Sequence, residues 1–252
     1  MYEEERKIKI LNQLNYETSV SVQELSNLLN VSSSTIRRDL TNMEKNGVIK
    51  RTHGGAMVVK DVADNLNYDS KKIKNYDLKI KIAQLAAKQI NDGDIISLNS
   101  STITSLMPQF ITAKNFTVIT NSLNIATSLK TNEQCNLILL GGLYMKSAET
   151  IEGPMTVSQI KTMRYSKSFF GANGIDPAFG FSSASELESA SKIATINQST
   201  TSYFLCENTK FNRTSLHKIC DLNKVNYLIT DDEAKIEDIE LYSTYLPILV
   251  AK

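Results

Sequence analysis

The chain has 252 residues, 41% of them hydrophobic, and a formal net charge of +1. That length suits one small domain and one larger domain with a real core, and the charge excludes a polybasic chain held to nucleic acid by bulk attraction. Two histidines and three cysteines without metal-ligand spacing argue against a metal centre or a disulfide framework, and no apolar run approaches the roughly 18 residues of a membrane span. The expectation is a cytoplasmic protein without a cofactor and with no membrane partner.

Residues 3–13 read as a first helix, acidic at its positive end and apolar at Ile8, Leu11 and Leu14. A loop is expected at 16–21. Ser21 then caps a helix over Val22–Leu29, whose apolar stripe is Val22, Leu25, Leu28 and Leu29. Asn30-Val31 is a tight joint. Ser32 is the next N-cap, and Ile36, Leu40 and Met43 recur at helical steps on one inward face. Ser33, Ser34, Arg37, Arg38 and Thr41 lie away from it. Hydroxyls and two arginines on an early helix turn suit a DNA major groove, where arginine forks onto a guanine edge. The alternative is a solvated face with the arginines paired to Asp39 and Glu44.

A positioning helix, a short turn and a reading helix form helix-turn-helix grammar. Gly47 stops the second helix, residues 48–52 read as a basic strand, Gly54-Gly55 as a turn, and 56–59 as the returning strand of a wing. Lys50, Arg51 and His53 would face phosphates, or His53 would be structural. Residues 1–60 hold nine Lys or Arg against seven Asp or Glu. With so slight an excess, affinity for DNA must rest on placed charges and on more than one copy of the chain. Residues 60–76 are charged and lack apolar period, and read as a linker or connecting helix.

From residue 77 the pattern changes. A helix over 77–91 buries Ile82, Leu85, Ala86 and Ile90. Apolar strands follow at 95–98, 116–120, 137–140, 168–171, 203–206, 227–230 and 248–250, with helices near 102–110, 123–129, 157–163 and 185–197. Such alternation predicts an α/β domain, residues 77–252, with a mostly parallel sheet covered on both faces. Ligands bind such sheets outside the carboxyl ends of the strands. Those ends are polar here. Asn99-Ser100-Ser101-Thr102 can hold an anion, Asn121-Ser122 follows the second strand, and Gly141-Gly142 lets backbone approach a ligand. Glu207 can accept from sugar hydroxyls, Lys210 can neutralise a phosphate, and Lys192, on the helix over 185–197, can point into the crevice. Each loop alone could be an ordinary turn or cap.

Thr35–Leu40 (TIRRDL) and Gly47–Gly55 (GVIKRTHGG) resemble the helix-turn-helix block of the DeoR family of bacterial transcriptional regulators. The resemblance continues through T-N-S at 120–122, L-L-G-G at 139–142, E-G-P at 152–154, G-A-N-G-I-D at 171–176 and T-K-F at 209–211. It implies an N-terminal winged helix-turn-helix domain over residues 1–59 and a C-terminal sensor similar in fold to ribose-5-phosphate isomerase. It implies Ser33, Ser34, Thr35, Arg37, Arg38, Lys50, Arg51 and His53 at a double-stranded operator. It also implies Ser100, Thr102, Asn121, Gly141, Gly142, Lys192, Glu207 and Lys210 around a phosphorylated sugar. Two positions depart from the family's pattern. Its usual D-S-G-T-T is Asn99-Ser100-Ser101-Thr102-Ile103 here, and its usual acid before T-K-F, an aspartate, is Glu207.

The expected function is a repressor of a carbohydrate-use operon, acting as a dimer or tetramer and released by the sugar phosphate. An architectural DNA binder with a vestigial sensor is one alternative. A sugar-phosphate isomerase with a DNA-binding head is another, but proton transfer needs a placed base and Asn99 removes a candidate.

Overall fold

A computed structural model describes residues 6–7, 9–10, 13–14, 19–45, 49–52, 54–58 and 74–252. The expectations for residues 3–5, Ile8, Leu11, Gly47, His53 and the linker at 60–73 lie outside those residues. The chain divides into two compact units, Met1–Tyr76 and Asp77–Lys252.

In the first unit, Arg6, Lys7, Lys9, Ile10, Gln13 and Leu14 are helical, with Ile10 and Leu14 buried. They are followed by β1 (Ser19–Ser21), α1 (Val22–Leu29), α2 (Ser33–Lys45), β2 (Ile49–Arg51) and β3 (Gly55–Val58). The strands form an antiparallel sheet ordered β1-β3-β2, so the wing is a hairpin extended by a third strand where a loop was expected. Three residues are too few to show a period of two, and β1 is specified by pairing with β3. Gly55 is required there, because a Cβ on it would stand 1.9 Å from the Val20 carbonyl oxygen.

Ser21 caps α1 in a reciprocal box with Glu24, its hydroxyl accepting from the Glu24 N–H while the Glu24 carboxylate accepts from the Ser21 N–H. The helix ends on Asn30 in the left-handed region (φ 51°), and the Val31 N–H reaches back to the Ser26 carbonyl at 3.2 Å. The Ser32 hydroxyl accepts from the Thr35 N–H at 3.2 Å and opens α2. Ile36, Leu40 and Met43 are buried, as their spacing requires, together with Leu25, Val20, Ile49 and Ala56. Leu28 corrects the predicted stripe: it is 58% exposed. Val22, Leu25 and Leu29 complete the buried row at three- and four-residue steps, and Leu28 lies at its rim.

The second unit holds seven parallel strands in the order β15-β14-β12-β9-β4-β5-β6, all seven of the predicted ones. They are β4 (Ile95–Leu98), β5 (Phe116–Thr120), β6 (Cys135–Leu139), β9 (Tyr165–Gly171), β12 (Ser199–Leu205), β14 (Tyr227–Asp231) and β15 (Ile248–Ala251). The helices are α3 (Tyr76–Ala87), α4 (Leu123–Leu129), α5 (Pro154–Lys161), α6 (Glu186–Asn197) and α7 (Ile236–Ser243). α5 begins three residues earlier than its apolar period, because Gly153 caps it and Pro154 is preorganised for its first turn. The helix expected near 102–110 is a 3-10 helix, Thr104–Phe110, containing Pro108, which has no N–H to donate.

Beside α7, which the sequence reading did not include, two small features were not expected. One is a hairpin of β7 (Leu143–Met145) and β8 (Thr150–Glu152). The other is an antiparallel sheet of β10 (Gly174–Asp176), β11 (Gly180–Ser183) and β13 (His217–Cys220). The order of the large sheet reverses direction between β4 and β9, so its switch point lies where Leu98 and Gly171 end those strands.

Candidate DNA interface and effector site

On α2, Arg37 and Arg38 are exposed and enter no ion pair among the described residues. Their alternative partners are taken. Asp39 is 2% exposed and accepts a fork from Arg6, Nε to Oδ2 at 2.8 Å and Nη2 to Oδ1 at 3.1 Å. Glu44 accepts from the Arg51 N–H at 2.8 Å, and Arg51 Nη1 donates to Thr41 Oγ1 at 3.0 Å. Those two bonds brace β2 against the second half of α2, and both Lys50 and Arg51 remain exposed. Ser34 is exposed and Ser33 and Thr35 are half-buried; the Ser34 and Thr35 hydroxyls share hydrogen bonds with the Ser32 hydroxyl. Seven of the eight predicted DNA-facing residues thus lie on α2 and β2, and the eighth, His53, is outside the described residues.

At the carboxyl ends of the parallel strands a continuous polar network runs from loop to loop. The Ser100 N–H donates to Asn121 Oδ1 at 3.1 Å, and Asn121 Nδ2 donates to Thr150 Oγ1 and Glu152 Oε1, both at 2.8 Å. Glu152 Oε2 accepts from the Ser191 hydroxyl on α6. Next on that helix, Lys192 is 3% exposed, its Nζ 3.6 Å from Glu188 Oε2. Glu207 is 6% exposed and lies 3.5 Å from Nζ of Lys79, itself 1% exposed on α3. Lys192 and Lys210 both act on the buried Cys206 thiol, which burial pushes up to about 12 against their pull. Burial likewise pushes the Glu152 carboxyl up to about 7, opposed by the Ser191 hydroxyl.

The predicted effector residues divide by what they touch. Ser100, Thr102 and Lys210 are half-buried, and Lys192 and Glu207 are buried cations and anions at the same ends of the sheet. Asn121 is 2% exposed, with both faces of its amide engaged by protein. Gly141 is held by α5: its N–H donates to Gln159 Oε1 at 3.1 Å, and its carbonyl accepts from Thr156 Oγ1 at 2.9 Å. At Gly142 a Cβ would stand 2.2 Å from Thr156 Oγ1, so the close approach this pair permits is to α5. Sequence reasoning left out Lys79, Glu152 and Glu188. The signal for Lys79 was available: it falls on the helical row of Ile82, Ala83 and Ala86.

The profile of the DeoR-like helix-turn-helix domain matches residues 6–62, and that of the DeoR C terminal sensor domain matches residues 74–232. The chain belongs to the DeoR family. It is 33% identical over 232 residues, 92% of this chain and 89% of the other, to the HTH-type transcriptional repressor GlcR of Bacillus subtilis (strain 168). It is 31% identical over 255 residues, covering all of both chains, to the lactose phosphotransferase system repressor of Lactococcus lactis subsp. lactis. Among solved structures, ribose 5-phosphate isomerase A from Methanocaldococcus jannaschii superposes on 55% of each chain at 17% identity, with a TM-score of 0.39.

This DeoR-family chain is therefore a DNA-binding transcriptional regulator and not an enzyme. Among its described residues no helix is long and apolar enough to cross a membrane. Its departures from the DeoR-family loop have local partners. Asn99 is 4% exposed, and its amide points toward Asn121 Oδ1 at 3.5 Å, where a carboxylate would meet a carbonyl oxygen. The Ser101 hydroxyl accepts from the Thr104 N–H at 3.1 Å ahead of the 3-10 helix, and its side chain occupies the space a Cβ on Gly171 would need. The serine of this regulator thus fills the switch point between β4 and β9.

Proposed function

We propose that the protein is a sequence-specific repressor of a carbohydrate-use operon, released by a phosphorylated sugar. The observation that carries the reading is the pair Arg37 and Arg38, exposed on a helix whose inward acid is occupied by Arg6 and whose far half is braced by the wing. Guanidinium groups so presented can fork onto guanine edges, with Ser33, Ser34 and Thr35 beside them and Lys50 and Arg51 on phosphates. His53 is proposed with the wing.

Two or more copies would set two such helices on half-sites about one helical turn apart. In the sensor, Lys192 and Lys210 would take the phosphate and Glu207 the sugar hydroxyls, with Ser100 and Thr102 completing the rim. Asn121, Gly141 and Gly142 would shape the walls. The names of the relatives, "Lactose phosphotransferase system repressor" and "Putative aga operon transcriptional repressor" among them, support the same class of target.

Gel-shift titration against an operator selected by the protein from random duplex tests the reading. Arg37→Ala and Arg38→Ala should each abolish the shift while leaving the circular dichroism of the folded chain unchanged. Lys210→Ala should still shift the operator and lose release by the sugar phosphate that releases the wild type. Undiminished operator binding by both arginine variants would refute the interface.

A further inference from the structure

The two ends of the large sheet are finished differently. β15 ends one side and runs between Pro247, which has no N–H, and Lys252, two residues that discourage further pairing. β6 ends the other, and its five residues, Cys135 to Leu139, include neither a charge nor a proline. The Phe116 N–H donates to the Gln134 carbonyl at 3.1 Å and the Leu140 N–H to the Thr120 carbonyl at 2.9 Å, so the even-numbered residues here turn their main-chain groups toward β5. Those of Leu137 and Leu139 turn the other way and meet no strand among the described residues. Free N–H and C=O groups in such a row are a template for another strand.

The surroundings of that edge are apolar. Ile138 and Leu139 are exposed on β6, and Gly141-Gly142 leads into β7, where Leu143 and Tyr144 are exposed too. Met155, in the first turn of α5, has its Sδ 3.9 Å from where a Cβ on Gly141 would stand. The five side chains are between 41% and 65% exposed. At roughly 200 Å² for a whole large side chain they leave on the order of 500 Å² open, most of the ~800 Å² that each partner buries in a standard interface.

We propose that β6 is a contact between copies of this chain: two copies join antiparallel through it about a twofold axis at Ile138, and their seven-stranded sheets become one. Leu137 then lies opposite Leu139 of the second copy, at the hydrogen-bonded sites of an antiparallel pair, where the outward N–H and C=O groups of both are satisfied. Ile138 meets its counterpart at the close site between them, with Cα atoms about 4.5 Å apart. A second copy fits because the free groups are placed symmetrically about Ile138 and no like charges meet along the strand. A strand that is its own partner closes the contact at two copies. The operator reading requires more than one copy and this contact supplies it; the test is made without DNA, so that its failure leaves the arginine interface standing.

Full-length wild type at micromolar concentration should sediment as a dimer or tetramer. Ile138→Lys sets two ammonium groups against each other at the axis, and Leu139→Pro removes an outward N–H without touching the ladder to β5. Each should halve the mass while the chain still melts cooperatively, and Val250→Lys, on the opposite edge, should leave the mass unchanged. On a Cys135→Ser background, Ile138→Cys should give a disulfide-linked dimer on mild oxidation, since a Cα separation of about 4.5 Å is within reach of that bond. Asn136→Cys on the same background should give none, because its counterpart is four positions out of register.

A monomeric wild type overturns the pairing, as does full mass in both folded edge variants, whether the edge is then covered by the chain's own residues or kept for a different protein. Halved mass in Val250→Lys, or no covalent dimer from Ile138→Cys, overturns it equally. Should the two edge variants disagree or fail to melt cooperatively, the cross-link decides: a covalent dimer from Ile138→Cys with none from Asn136→Cys upholds the axis, and any other result removes it.

Discussion

Glu152 is where three elements meet: its carboxylate takes hydrogen bonds from Asn121 past β5, from Thr150 on its own strand and from Ser191 on α6. Burial raises its pKa to about 7 from an ordinary 4.5; Glu188 pushes the same way and Lys192 opposes. The folded chain therefore keeps this proton up to about pH 7, whereas the unfolded chain releases it near 4.5. Between those values the folded state binds more protons, so this group's contribution is fully present below 4.5 and declines as pH rises to about 7. Glu152→Gln keeps the shape and cannot titrate. The melting temperature of wild type minus that of the variant should fall between about pH 5 and pH 8; a difference constant over that range would show that Glu152 does not titrate there. The E-G-P stretch marked Glu152 in the sequence. Its role was not legible, because two of its three hydrogen-bond partners lie 31 and 39 residues away.

At the scale of elements, α2 owes its orientation to two inward features of different legibility. The Ile36, Leu40 and Met43 row was plain from spacing, and it alone implies that Arg37 and Arg38 point outward. The fork from Arg6 to Asp39 was not, since an acid beside two arginines reads as their local partner. Removing one member of a buried, forked pair leaves the other charge uncompensated. Asp39→Ala should destabilise the head by about 3 kcal/mol, seen as a lowered urea midpoint, and should lose operator binding with both recognition arginines still present. A midpoint equal to wild type would mean that the fork contributes nothing in solution. Short strands show the same limit. β4 and β5 were legible from continuous apolar runs, whereas the three-residue β1 and β10 have no periodicity and exist because β3 and β11 pair with them.

For the whole molecule, near-neutral charge sets how DNA must be held. With a net charge of +1 there is no long-range excess to recruit phosphates, so affinity would come from a few placed cations on each of several heads. The protein should sediment as a dimer or larger assembly. The slope of log affinity against log salt should decrease by about one per head on Lys50→Ala, with the preferred sequence unchanged. An unaltered slope would take Lys50 off the phosphates.

The sequence by itself determined the helix-turn-helix head, the outward face of α2 and the seven parallel strands, because periodicity and apolar runs report which side of an element must leave water. Only the tertiary structure decided which charges meet: Arg6 with Asp39, Lys79 with Glu207, and Glu152 with Asn121 and Ser191. A local pattern can say that a residue faces inward, but the partner waiting there is fixed by strand order and by the docking of helices distant in sequence.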